Sequence, residues 1–238
     1  MNDGEHPGIF AVIPCLNEDK FIADIVSKSL KHVGKVIVVD DASTDATSGV
    51  AAEAGAEVIR HDSRGGAGAA TRTGFEAALR QGADIVVTLD GDGQHNPDEI
   101  PAVVEPVVEG RADIVIGSRF LKEGYCVPPY RKFGIDVITW LYNAGMRAKI
   151  TDAQSGFRAY SRKALQAMNI TYPGFGFSIQ TLVQARRQGL KIVEAPISCV
   201  YHAEGSTQHP VTHGLGVAWS VVKIRFEEEL LKKSGAKT

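Results

Sequence analysis

Two aspartates one residue apart, Asp90 and Asp92, end an apolar run that begins at Ile85 and give way to a glycine-flanked turn. A strand that delivers paired carboxylates into such a turn makes a docking point for a hard divalent cation, which takes oxygen donors. Strand side chains alternate in direction, so residues two apart can converge on one ion. Gly91 and Gly93 let the backbone turn sharply beside it, and Gln94 can supply a third oxygen. A cation held in this way can hold a diphosphate. Asn96 and Pro97 then read as the N-cap and first residue of a helix. The carboxylates therefore lie at the C-terminal end of a strand, where open α/β sheets bind ligands. One alternative is an Asp/Gly-rich turn without a ligand. An EF-hand loop is disfavoured, because His95 and Pro101 stand where it needs Gly and Glu.

Further polar clusters close the apolar runs upstream. The first run ends in Pro14, Cys15, Leu16, Asn17 and Glu18, the second in Asp40, Asp41, Ala42, Ser43, Thr44 and Asp45. In a parallel sheet both ends share a rim with Asp90 and Asp92 and form one cleft. Asp40 and Asp41 are acceptors suited to base N–H groups or ribose hydroxyls. Equally, Asn17 or Glu18 can open a helix, and Asp41 or Ser43 can cap the one starting near Asp45. Gly65, Gly66 and Gly68 precede a further helix but match neither the dinucleotide fingerprint nor a P-loop. With Arg64 and Arg72 nearby, that loop can bring N–H dipoles and positive charge toward a diphosphate.

The elements that must position these groups follow from hydrophobic periodicity. Residues 9–13, 36–39, 57–59, 85–89 and 114–116 read as buried strands, separated by helical stretches at 20–31, 46–54, 69–80 and 97–109. Such βαβ alternation predicts a mostly parallel sheet covered on both faces. After Arg119 the rhythm changes: a proline-containing loop at 125–129, an amphipathic helix at 133–146, another helix at 179–188 and a strand-like stretch at 191–201. A terminal amphipathic helix is expected around Trp219.

The 238 residues, 44% of them hydrophobic, can bury a full α/β core. With 26 Lys and Arg against 28 Asp and Glu, the balance gives no sign of nucleic-acid binding. Three scattered cysteines form no C-x-x-C and fit a reducing cytosol. No secretory signal is evident and no segment reaches the roughly 18 apolar residues of a membrane span. The expected location is cytoplasmic, peripheral at the membrane face.

The chain resembles family 2 glycosyltransferases of the GT-A fold, in the dolichyl-phosphate mannose synthase-like branch. The resemblance rests on Pro14-x-x-Asn17-Glu18, Asp40-Asp41-x-Ser43-x-Asp45, the segment 66–74, Asp90-x-Asp92-x-Gln94-His95-x-Pro97, Gly117-Ser118-Arg119 and Asp152-Ala-Gln-Ser155-Gly156-Phe157-Arg158. It implies a GT-A, Rossmann-like domain over 9–207, with a nucleotide-sugar half at about 9–120 and an acceptor half at about 121–207. This lies between a short tail at 1–8 and a C-terminal tail at 208–238. The resemblance also implies that Pro14, Asn17, Glu18, Asp40 and Asp41 hold the nucleotide, and that Asp90, Asp92 and Gln94 bind Mg2+ or Mn2+. Arg119 and Arg131 would grip a lipid phosphate, while Asp152 and Ser155 to Arg158 shape the sugar and acceptor site. The implied reaction is transfer with inversion from a nucleotide sugar, GDP-mannose favoured and UDP-sugars open, to dolichyl or polyprenyl phosphate.

A phosphate acceptor fits the residues on a second ground. A sugar hydroxyl usually needs a general base, worth about 10²- to 10⁴-fold in rate, whereas a phosphate monoester is already largely ionised at neutral pH. Relatives often carry acids where this chain has Ser178 and Gln180, although Asp152 remains available as a base. Arg158 reads equally as a phosphate contact or as a structural ion pair. Two departures from the family pattern concern donor and acceptor: Ala67 in place of Lys, and His202 in place of an expected phosphate-clamping Arg. Residues 133–146 and the Trp219 region are expected to meet a membrane surface or a membrane-embedded partner.

Overall fold

The computed structural model describes residues 8–122, 127–144, 148–174 and 176–200. Each early apolar run becomes a strand: β1 Ile9–Cys15, β2 Lys35–Asp40, β3 Glu57–Arg60, β4 Ile85–Thr88 and β5 Ile114–Ser118. Strands apolar along their whole length need cover on both faces. Helices α1 Ile22–Ser29, α2 Thr47–Glu53, α3 Ala67–Arg80 and α4 Ile100–Val108 supply that cover. On one face Ile22, Val26 and Val103 pack with Ile13 and Phe157. On the other, Phe75 and Ala78 pack with Val12, Val39 and Tyr160.

Parallel register sets the rim. β1 lies between β2 and β4, with Cys15 opposite Asp40 and Val12 opposite Thr88. The turns that follow these strands therefore emerge side by side, carrying Asn17 and Glu18, Asp41, and Asp90 with Asp92. Asn96 caps the short 3-10 turn Pro97–Glu99 ahead of α4, its side chain accepting from the Asp98 N–H at 3.1 Å. Neither Asp41 nor Ser43 caps α2: Asp45 accepts from the Thr47 N–H, and Asp41 is drawn to the glycine loop instead.

The later part of the chain adds to the same sheet instead of standing apart from it. Its order is β3-β2-β1-β4-β6-β5-β7, where β6 is Arg158–Ser161 and β7 is Ile192–Pro196. β6 was not legible as a strand. It is four residues long, opens with an arginine, and runs antiparallel between β4 and β5, so that Ala159 faces both Val87 and Val115. Helix α6, Arg162–Ala167, was also missed; Ser161 caps it by accepting from the Ala164 N–H. Helix α5, Pro129–Asn143, starts four residues before the amphipathic pattern does, with proline in its first turn. Arg131 thus sits in the first turn of this helix. Helix α7, Phe177–Arg187, packs Ile179, Leu182 and Val183 against Ile138 and Tyr142 of α5. No helix among the described residues is long and apolar enough to cross a membrane. His202, His209, Cys126 and the Trp219 region lie outside the described residues.

Candidate active site

Asp90 and Asp92 stand where β4 gives out. The Thr88 hydroxyl donates to the Gly156 carbonyl at 2.7 Å, drawing the 155–157 turn under the strand end. The Asp90 carboxylate then lies flat over Gly156, where a β-carbon would come within 2.4 Å of it. The Asp90 N–H donates to Nδ1 of the buried His95 at 3.3 Å, so that nitrogen carries no proton and the ring is neutral. Burial holds the His95 pKa down at about 4. The 3.6 Å approach of Nδ1 to the Asp90 carboxylate is accordingly not an ion pair at neutral pH.

Asp92 is held by Gln94 through both oxygens: the Gln94 N–H donates to Oδ1 at 3.0 Å and its side-chain nitrogen to Oδ2 at 2.7 Å. Gln94 therefore turns its nitrogen, not its oxygen, toward the carboxylate. The expected third oxygen ligand is, in this arrangement, the group that orients Asp92. Gln94 and His95 are themselves pinned from behind, because the Val200 N–H donates to the Gln94 carbonyl and His95 forms a β-bridge with Cys199.

Negative charge gathers here. Burial raises the pKa of Asp90, against the pull of Arg119 and Arg158; burial and then Asp90 raise that of Asp92. Glu18 is pushed up to about 7 by burial and by Asp92 and Asp90. A third carboxylate thus shares the field that sequence reasoning credited to two. Like charges this close favour a proton or a cation between them. Among the described residues no three His, Cys, Asp or Glu side chains are grouped to enclose a metal by themselves. That donor set suits a hard ion completed by oxygens of a substrate, as Mg2+ sites commonly are.

At the end of β2 the carboxylates prove to be internal. Asp40, fully buried, accepts from the Ser43 N–H at 2.7 Å, from Arg60 Nη1 at 2.8 Å and from the Ser48 hydroxyl. Asp41 accepts from the Gly65 and Gly66 N–H groups at 2.8 and 2.7 Å, with His61 Nδ1 at 2.8 Å. Burial opposes both charges, but these partners outweigh it and hold both pKa values below normal. Asp40 and Asp41 therefore build the wall of the cleft and do not present open acceptors. Asn17, at φ 59°, stitches the rim together: its N–H donates to Ser43 Oγ and its side chain accepts from the Thr44 N–H.

The glycine loop is also occupied. The Gly68 and Ala69 N–H groups donate to the Pro173 carbonyl, and a β-carbon at Gly68 would stand 2.1 Å from the Tyr172 carbonyl oxygen. These glycines admit a neighbouring backbone, so the expected cradle of N–H groups for a diphosphate is not offered. Arg72 reaches the Ile170 carbonyl and approaches Glu76, and Arg64 is exposed. Arg60 and His61, missed in sequence, bind the aspartates instead; only their place at the C-terminal end of β3 hinted at it.

Beyond β5, Arg119 grips Asp152 side-on, Nε to Oδ2 at 2.7 Å and Nη2 to Oδ1 at 2.8 Å. The Arg119 and Gln154 N–H groups fill the remaining acceptor positions. Burial opposes the charge on Asp152, but Arg119 holds its pKa below normal. A carboxylate so engaged is no general base; it positions the arginine. Arg158, 1% exposed, donates to the carbonyls of Ser155, Ser178 and Ala153 and to the Thr181 hydroxyl. Among the described residues it makes no ion pair, its donors go to the chain's own carbonyls and the Thr181 hydroxyl, and its charge reaches Asp90. Ser155 turns the chain by accepting from the Phe157 N–H and lines the cleft beside Asp90. Gln180 is locked to Thr171 and Tyr172 through both ends of its amide. The Arg131 charge reaches Asp92 from the first turn of α5.

The family model described as Glycosyl transferase family 2 matches residues 10–168. The chain is 32% identical over 234 residues to the UDP-N-acetylglucosamine-dolichyl-phosphate N-acetylglucosaminyltransferase of Methanococcus voltae, covering 88% of this chain and 90% of that one. It is 34% identical over 216 residues to the undecaprenyl-phosphate mannosyltransferase of Micrococcus luteus, covering 84% and 86%. The fold matches, with TM-score 0.72 and 24% identity, the crystal structure of glucosyl-3-phosphoglycerate synthase from Mycobacterium tuberculosis in complex with Mn2+, UDP and phosphoglyceric acid, over 92% of this chain and 77% of that one. With a mostly parallel sheet of this order and the Asp90-x-Asp92 turn at its rim, the chain belongs to glycosyl transferase family 2 and has the GT-A fold.

Proposed function

We propose that the protein is an inverting hexosyltransferase that moves one hexose from a nucleotide sugar to a polyprenyl phosphate such as dolichyl phosphate, with GDP-mannose the favoured donor. The observation that carries this reading is the state of the carboxylates. Asp152 has all its acceptor positions filled and Gln180 is a locked amide, so among the described residues the acid groups left at the cleft belong to the Asp90, Asp92 and Glu18 cluster. A hydroxyl acceptor would have to draw its base from that cluster, which this reading gives to the cation and the nucleotide. A phosphate acceptor needs none, because its second pKa is about 6.

In this reading Asp90 and Asp92 hold Mg2+ or Mn2+, and the bound ion offsets the charge that develops on the leaving diphosphate. Gln94 and His95 keep the two carboxylates in place. The nucleotide lies along Pro14, Asn17 and Glu18, against a wall that Asp40 and Asp41 stiffen, with Arg64 and Arg72 at its edge. Arg119 and Arg131 bring positive charge to the acceptor phosphate, and Ser155 and Arg158 shape the floor beneath it. Residues from about 9 to 120 thus serve mainly the donor, and Arg119 together with the residues from about 121 on serves the acceptor. The lipid-phosphate acceptors named for the Methanococcus and Micrococcus relatives support this assignment; their different sugars are why the donor must be measured.

The acceptor half also carries a surface suited to a lipid's environment. Tyr130, Phe133 and Trp140 on α5 are 58%, 72% and 68% exposed, while Ile135, Ile138 and Tyr142 on its other side are buried. With Lys132 on the same helix, this face suits an anionic membrane surface.

The test is a panel of radiolabelled GDP-mannose, UDP-glucose and UDP-N-acetylglucosamine with dolichyl phosphate and Mg2+ or Mn2+. Label entering the lipid from one donor is the expected result. Label entering only a glycan or glycolipid hydroxyl would overturn the acceptor assignment.

A further inference from the structure

The role proposed for Arg119 depends on what holds it, and the hydrogen bonds lead away from the cleft to Glu194. This residue stands on β7, opposite Ile116 of β5 in parallel register. Its carboxylate accepts from the Thr151 N–H and hydroxyl, both at 2.9 Å, and from the Asp152 N–H at 3.0 Å. Asp152 in turn clasps the Arg119 guanidinium.

A second branch reaches the backbone on either side of Arg119. Ser118 and Thr151 hydroxyls meet at 2.6 Å, and the Phe120 N–H donates to Ser118 Oγ at 3.2 Å. An ionised carboxylate only accepts, so the single hydroxyl proton of Thr151 goes to Glu194 and Ser118 must donate to Thr151. The bonds therefore run one way, from the Phe120 N–H through the Ser118 and Thr151 hydroxyls to Glu194, and each polarises the next.

We propose that Glu194 is a positioning residue for acceptor binding: one carboxylate fixes the side chain of Arg119 through Asp152 and its flanking backbone through Thr151 and Ser118. Glu194 itself touches no substrate. No motif in the sequence marks it, because its partners lie more than 40 residues away in the chain.

This inference rests on Arg119 serving the acceptor, and a double-mutant cycle in the full chain separates the two. Glu194→Ala should raise the KM for lipid phosphate about tenfold, the scale of lost second-layer support, and leave the donor KM within about twofold. Glu194→Gln, which keeps one acceptor oxygen for the same donors, should fall between this variant and the wild type, and it serves if the alanine variant folds poorly. In an Arg119→Ala background either change should have almost no further effect, because the group it positions is gone. Effects that simply multiply, or a fall in kcat with both KM values unchanged, would overturn the proposal. If the wild type proves to use a hydroxyl acceptor, the function proposed above fails, yet the same cycle run with that acceptor still decides whether Glu194 acts through Arg119.

Discussion

Gly156 and Asp90 are in such close contact that a β-carbon on the glycine would stand 2.4 and 2.5 Å from the two carboxylate oxygens of the aspartate. The obstacle is the carboxylate itself, so relief means moving it. Gly156→Ala should therefore cost about 100-fold in kcat/KM, the scale of a 1 Å misplacement at a reacting centre. Circular dichroism should show an intact fold, and calorimetric titration with Mn2+ should show weakened binding. Full activity in the alanine variant would mean that Asp90 has no need of its present place.

Removing either carboxylate outright should do more. Asp90→Ala and Asp92→Ala should each lower kcat about 10²- to 10³-fold, the scale on which a single electrostatic stabiliser acts. Excess EDTA should silence the wild type and added Mn2+ restore it. Undiminished turnover in EDTA would remove the cation from the reaction.

The pH dependence of stability follows from Glu18. Its folded pKa of about 7 lies above the ordinary 4.5, so the folded chain holds a proton that the unfolded chain has already released. The associated stability is present below pH 4.5 and is lost as pH rises through about 7. A cation held by Asp90 and Asp92 would favour release of that proton from the nearby Glu18. Mn2+ should accordingly raise Tm more at pH 8 than at pH 6, and binding at pH 6 should release protons, so that the measured heat of binding varies linearly with buffer ionisation enthalpy. A pH-independent Tm increment would contradict this.

Arg158 should matter to stability before it matters to chemistry. Arg158→Met would strand the carbonyls of Ala153, Ser155 and Ser178 in the interior, and an unsatisfied buried acceptor costs about 1–3 kcal/mol. A loss of about 3 kcal/mol or more by urea denaturation is expected. Wild-type stability with weakened acceptor binding would restore the phosphate-contact role that the sequence suggested.

Phe133→Asp together with Trp140→Asp should abolish sedimentation with anionic vesicles and slow transfer to bilayer-embedded acceptor, while donor binding is unchanged. The wild type staying in the supernatant would assign the stripe to a protein partner instead.

Local order in the chain was enough for the first half of the fold. Strand β1 and strands β2, β4 and β5 are runs of buried apolar residues, helices α1 to α4 alternate with them, and that alternation admits little but a parallel sheet. It was enough too to single out the Asp90 and Asp92 pair, although both lie in the turn after β4 and not on the strand itself. The family resemblance pointed to residues whose spacing alone says nothing, such as Arg131, whose charge reaches Asp92.

What each polar group does with its lone pairs was decided only by the tertiary structure. Asp40, Asp41 and Asp152 read as open acceptors or bases, yet Arg60, His61 and Arg119 claim them from 20, 20 and 33 residues away. Gly66 and Gly68 read as a phosphate cradle, yet they make room for Pro173 and Tyr172. β6 has too few residues and too little apolar pattern to declare itself, and becomes a strand because β4 and β5 leave a gap of one strand's width between them. A side chain's type states which bonds it can make. Which of them it does make depends on the partner that folding brings to it, and a carboxylate already satisfied inside the protein has little left to offer a substrate.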